Sequence, residues 1–205
     1  MDKKAIYSLS YGIFMLSTKL GDKANGCIIN TCIQVANNPT RVAISVLNTN
    51  YTCDLLKESG VFALSVLDEQ CTFDSIKHFG FQSGRDVDKF EGIRMPEDVN
   101  GIPYMGWYAC AVISGRVVES HDLGTHTFIA EVVDAKMLSD KAPLTYADYQ
   151  AHVKPKADKP PKTDKKIVGW RCKICNYVYE GSELPADYVC PLCGHGADDF
   201  EPIYE

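Results

Sequence analysis

The sequence predicts a mainly β protein in two parts, a closed or nearly closed barrel with a few helices and then a small metal-stabilised module. Three observations carry this. Short runs rich in β-branched residues recur through roughly the first 140 residues. A Lys/Pro-rich stretch, KPKADKPPKTDKK, follows at 154–166. After it come four cysteines in two CxxC pairs.

Six strands are expected: GIFMLST (12–18), GCIINTCIQV (26–35), RVAISVL (41–47), VFALSVL (61–67), YACAVISGRVV (108–118) and TFIAEVVDAKML (127–138). Turns separate them, which suits a barrel. Helical patterns fall at YTCDLLKES (51–59), at TFDSIKHFG (72–80), which opens on Thr72 and Ser75, and at TYADYQAH (145–152). The 154–166 stretch has three prolines and no apolar residue larger than Ala157, so it cannot bury a face and is expected to be extended. The chain therefore reads as a barrel domain over 1–150, a linker over 151–166 and a metal module over 167–205.

At 205 residues the chain can hold one ordinary core of about 150 residues plus a module of about 40 that needs a metal to fold. The net charge of −6 disfavours a nucleic-acid binder, and the one basic run, six lysines against Asp158 and Asp164, reads as a solvated spacer. The opening MDKKAIYSLSYGIFMLSTK is too short and too interrupted by polar residues for a secretory or membrane-spanning segment, so a cytoplasmic protein with no membrane association is expected. Nine cysteines then argue for a reducing compartment, with four as ligands and Cys27, Cys32, Cys53, Cys71 and Cys110 free.

Cys172-Lys-Ile-Cys175 and Cys190-Pro-Leu-Cys193 lie fourteen residues apart, a tetrahedral metal signature. Thiolate-only ligation suits zinc or a single iron, which would make the module a structural clip or a one-electron carrier. Asn176 and Gly194 follow the pairs, where a left-handed backbone would turn N–H groups toward sulfur. The module is acidic, with seven Asp and Glu against Arg171 and Lys173, and could dock on a basic partner.

In the barrel, no GxGxxG follows an expected strand and no GxxxxGK[ST] occurs, so any nucleotide cofactor is held in another way. Polar clusters stand at Asn30-Thr31-Cys32, at Asn48 with Tyr51-Thr52, and at Ser83-Gly84-Arg85-Asp86-Val87-Asp88-Lys89. Thr52 at a helix start, with Ser83, Gly84 and Arg85, could hold one phosphate. The alternative is a plain helix cap and a surface turn. Cys27 and Cys32 read as small buried hydrophobes ahead of catalytic thiols.

Trp170 and Tyr188 two residues before the pairs, the CPLCG knuckle at 190–194, Tyr177, Tyr179 and the closing Asp198-Asp199-Phe200-Glu201 resemble rubredoxin over 168–203. The resemblance implies one iron on Cys172, Cys175, Cys190 and Cys193. The gap between the pairs looks like the compact version fused to other redox proteins. Upstream, KANGCIINTCIQVANNP, SVLNTNYTCDLL, FGFQSGRDVDKF and GTHTFIAEV are similar, in order and spacing, to the flavin reductase-like FMN-binding split-barrel family over residues 5–149. That likeness implies a homodimer with FMN at its interface. Asn30, Thr31 and Cys32 would lie near the isoalloxazine edge, and Asn48, Tyr51, Thr52, Ser83, Gly84, Arg85 and Lys89 would take ribityl and phosphate. Flavin reductases often carry Gly-Asp-His before the late strand; here it reads Gly124-Thr125-His126, and His126 is either a nicotinamide contact or a surface histidine at a strand start.

A hydride donor gives two electrons and a single iron takes one, so a flavin is the physical adapter between them. The fusion looks like the high-molecular-weight rubredoxins of anaerobes. This implies NAD(P)H as donor and a redox acceptor protein, with a flavodiiron protein reducing O2 or NO expected ahead of superoxide reductase or rubrerythrin. The rival is a free-flavin reductase whose metal module is a structural zinc ribbon.

Overall fold

The computed structural model describes residues 3–155 and 166–204. Residues 156–165 of the expected linker lie outside the described residues. The chain divides into two compact units, Met1–Lys154 and Pro155–Glu205. The first unit runs past the expected end at 150 because two short helical turns, Tyr146–Asp148 and Tyr149–Val153, follow the Thr145 cap and bury Tyr149.

The first unit is one antiparallel seven-stranded sheet, formed by β1 (Phe14–Leu20), β2 (Lys23–Ile29), β3 (Cys32–Asn37), β4 (Thr40–Val46), β5 (Val61–Leu67), β6 (Ala109–Asp122) and β7 (His126–Met137). The spatial order is β2-β1-β5-β6-β7-β4-β3. The two edges, β2 and β3, are consecutive in the chain and joined only by Asn30 and Thr31. Three trans peptide steps span about 11 Å at most, so the sheet has to curl until its edges meet at that joint. It closes there by covalent connection, and the strand pairings do not include one between β2 and β3.

The single strand expected over 26–35 is therefore two strands. At Asn30-Thr31 the chain exchanges its β1 partner for β4, and the two side chains hydrogen-bond to each other, Thr31 Oγ1 to Asn30 Oδ1 at 3.1 Å. β6 also runs beyond its expected end at 118. Its last residues are polar and exposed, so the apolar pattern stops, yet pairing with β7 continues to Asp122 opposite His126.

Alternation places Phe14, Leu16, Cys27, Ile29, Val42, Ile44, Val46, Phe62, Leu64, Phe128 and Ala130 in one interior core. Helix α1 (Tyr51–Ser59) adds Cys53 and Leu56 to it. Met15 on the other face of β1 and Ile13 just before the strand join a second cluster with Ile76 and Phe79 of α2 (Phe73–Gly80), Leu144 and Tyr149. Both helices lie where the sequence places them, and Thr72 caps α2 by accepting from Ser75 N.

The second unit is a three-stranded sheet of β8 (Ile167–Cys172), β9 (Val178–Glu180) and β10 (Phe200–Tyr204) in the order β10-β8-β9. Tyr188 packs edge-on to Phe200 at 5.4 Å and lies 4.6 Å from the Tyr179 ring. These rings surround the buried Cys172 and Cys190.

One position tests the packing between β5 and β6. A methyl at Gly115 would fall on the ring of the fully buried Phe62. Gly115→Ala is expected to lower barrel stability by about 1–3 kcal/mol, the usual cost of overpacking, measured by urea unfolding.

Candidate functional site

Asn50 caps α1, its side chain accepting from Thr52 N at 3.0 Å. Thr52 is thus not the cap. It is fully buried in the first turn, where its hydroxyl accepts from Nδ2 of the buried Asn25 on β2 at 2.9 Å. The backbone of Gly84 lies so close to the Asn25 amide that any Cβ there would overlap it. Asn25 therefore draws the start of α1 and the 83–85 loop onto the same stretch of β2.

Within that loop Ser83 Oγ accepts from Arg85 N at 3.1 Å. The Arg85 guanidinium donates to Thr49 O at 3.0 Å, pairs with Asp54 and lies 5.1 Å from the Tyr51 ring centre. Lys23 Nζ sits 4.7 Å from the same ring. Tyr51, Thr52, Ser83, Gly84 and Arg85 are thereby gathered at one place, and Lys23 adds a second cation that the sequence reading missed.

Lys89 departs from its expected place beside phosphate. It is 3% exposed, and its ammonium donates to Gly26 O at 2.8 Å and Phe79 O at 2.7 Å, tying β2 to the end of α2. Burial lowers its pKa. Burial also pushes the Cys27 thiol up to about 11 and that of Cys32 to about 12, so both stay protonated at neutral pH. Cys32 begins β3, directly after the Asn30-Thr31 joint between the sheet edges.

A second polar group lies where β4 and the β6–β7 hairpin end. Asn48 Nδ2 donates to Asp122 Oδ1 at 2.9 Å and to Gly124 O at 3.4 Å. His126 pairs in register with Asp122 on one side and Val46 on the other, its ring 4.7 Å from Phe128. Asn48 Oδ1 and both His126 ring nitrogens are buried and have no protein partner. Burial, helped by the Lys57 charge and opposed by Asp122, lowers the imidazole pKa.

In the second unit the four Sγ atoms of Cys172, Cys175, Cys190 and Cys193 lie within 4.8 Å of one another. Two of the separations are 3.6 Å (Cys172 to Cys193) and 3.3 Å (Cys175 to Cys190). A regular tetrahedron with metal–sulfur bonds of about 2.3 Å has edges of about 3.8 Å, so the set fits one tetrahedral ion. Asn176 and Gly194 take the left-handed backbone, with φ of 61° and 73°. The knuckle geometry lowers the Cys172 pKa to about 5, through the Cys193 thiol first and then the N–H groups of Cys175 and Ile174. Cys193 moves the other way because it shares its proton with Cys172. Four thiolates this close require a cation among them.

The flavin reductase like domain profile matches residues 6–154, and the rubrerythrin, rubredoxin-like domain profile matches 170–201. A high molecular weight rubredoxin of Moorella thermoacetica is 34% identical over 99% of this chain and 100% of its own length. The chain belongs to that family. The NAD(P)H ferric-chelate reductase of Archaeoglobus fulgidus is 38% identical, covering 80% of this chain and 95% of its own. Among solved structures, flavin reductase HpaC complexed with NADP+ superposes at a TM-score of 0.60 with 18% identity, covering 89% of this chain and 97% of that one.

The chain is thus an oxidoreductase that joins a flavin reductase-like domain to a rubredoxin-like four-cysteine domain, and the residues present fit a flavin and an iron. The unmet polar atoms of Asn48 and His126 suit a flavin site, as do the two cations around Tyr51 and the glycine forced against Asn25. The donor set of four sulfurs suits iron. Besides Lys23, Asn25 and Asp122 are site-shaping residues that sequence reasoning missed. The available signals were an asparagine inside an apolar strand and a carboxylate two residues before Gly124.

The His126 shift has a pH consequence. Because the folded-state pKa is lowered, the unfolded chain binds the proton more readily, so stability falls as pH drops below the ordinary imidazole value near 6.5. His126→Gln is expected to flatten that slope between about pH 7 and 5, read from urea midpoints at each pH.

Proposed function

We propose that this chain is an NAD(P)H-dependent flavo-rubredoxin. An FMN held by Tyr51, Thr52, Ser83, Gly84 and Arg85 would supply hydride acceptance and single-electron return, and an iron held by Cys172, Cys175, Cys190 and Cys193 would supply one-electron transfer to a partner protein, foremost a flavodiiron protein acting on O2 or NO. The observation that carries this reading is the convergence of Tyr51, Thr52, Ser83, Gly84, Arg85 and Lys23 near one helix start, in a chain that also holds a complete four-sulfur centre. The dipole of α1 and the cations Lys23 and Arg85 favour a phosphate there, as a mononucleotide flavin requires.

Asn30, Thr31 and Cys32 sit at the joint between the sheet edges, where a planar ring can lie against strand ends. His126, kept neutral by burial, offers one donor and one acceptor to a nicotinamide. The NAD(P)H of the Archaeoglobus relative's name and the NADP+ bound to the solved flavin reductase support the donor assignment. Ile33 and Val35 on the edge strand β3 and Leu123 at the hairpin tip are exposed apolar residues that favour a homodimer through the barrel. The acidic second unit favours a basic docking face on the acceptor. No helix among the described residues is long and apolar enough to cross a membrane.

The purified protein is expected to contain FMN and iron in about equal amount, and both visible spectra are expected to bleach on anaerobic addition of NADH or NADPH. Flavin lost on gel filtration, together with zinc in the four-cysteine site, would establish a free-flavin reductase with a structural clip instead. Cys175→Ser is expected to abolish electron delivery to the acceptor while flavin reduction stays within about twofold of the parent, measured by stopped-flow absorbance. Loss of flavin reduction in that variant would show that the two units are not functionally separable.

A further inference from the structure

The Asn48 amide is held in one orientation by chemistry alone. Its Nδ2 donates to Asp122 Oδ1 and Gly124 O, and neither a carboxylate nor a carbonyl can donate back, so the amide cannot be turned over. Asp122 is held in turn, its Oδ1 accepting from Gly124 N at 3.0 Å. The opposite end of the amide, Asn48 Oδ1, is left buried with no donor, and both nitrogens of the neighbouring His126 are buried without partners. A buried acceptor with no donor costs free energy that a ligand N–H would recover. The carboxylate beside His126 is Asp122.

We propose that Asp122 is a positioning residue that locks the Asn48 carbonyl inward, so that Asn48 Oδ1 and His126 together read a ligand edge bearing an N–H donor beside a carbonyl acceptor. The inference rests on the flavin reductase reading and deepens it. Such an edge occurs in the imide of a flavin ring and in the carboxamide of a nicotinamide ring, and no charged group is needed to recognise either. Asp122, itself exposed, touches neither ring and acts through Asn48.

The test titrates apo-protein with FMN by quenching of flavin fluorescence. It also measures half-saturation of flavin reduction by NADH or NADPH, in the parent, Asp122→Ala, Asp122→Asn, Asn48→Ala and the Asp122→Ala/Asn48→Ala double variant. Asp122→Ala is expected to weaken one of the two constants by about tenfold, the worth of one hydrogen bond. Asp122→Asn, whose Oδ1 can still accept from Asn48, should recover most of that loss, and Asp122→Ala should add nothing in the Asn48→Ala background. A loss confined to FMN affinity assigns the edge to the flavin imide. A loss confined to pyridine nucleotide half-saturation assigns it to the carboxamide. An Asp122→Ala variant indistinguishable from the parent in both constants, or an equal loss with and without Asn48, overturns the proposal. A parent protein that binds no FMN would sink the flavin reading itself, and is distinguished by failing before any variant is compared.

Discussion

The two-residue joint between Ile29 and Cys32 is the constraint on which the first unit depends. β2 and β3 occupy opposite edges of a seven-stranded sheet, and two residues cannot span a flat sheet of that width. Curling brings the inward residues of five strands into a single core and lets α1 add Cys53 and Leu56 to it. It also brings polar residues at strand ends, which are remote in sequence, to the rim where the candidate site lies.

At that rim the site is assembled by buried polar contacts more than by exposed ones. Asn25 binds Thr52 and admits only a glycine at position 84, while Lys89 spends its ammonium on two backbone carbonyls beneath the same strand. Each of these groups is expensive to bury alone and inexpensive when paired, so the network resists alternative arrangements. By contrast, Asn48 Oδ1 and both His126 ring nitrogens are buried with no protein partner, which is the observation the proposed ligand edge rests on.

The second unit works on another principle. Its apolar content is a small set of rings around Cys172 and Cys190, too little for a self-sufficient core, so the metal centre and the fold are one object. Left-handed turns at Asn176 and Gly194 aim N–H groups at sulfur, and these both favour thiolate and orient the ligands.

Much of this was legible in the sequence because it is local. CxxC spacing, the αL residues behind each pair, strand periodicity over 41–47 and 61–67, and the extent of α1 depend on neighbours a few residues apart. What the sequence could not settle depends on partners far along the chain. The break at Asn30-Thr31 arises from a change of partner strand, and the end of β6 is decided by pairing that outlasts its apolar pattern. Lys89 is expected beside a phosphate until tertiary packing buries it, and Asp122, which the sequence reading passed over, is found only because Asn48 reaches it from 74 positions away. Local chemistry determined which kinds of centre this protein can hold; in the first unit the closure of the sheet decided which polar side chains stand together, because only closure sets distances between residues that the chain keeps apart.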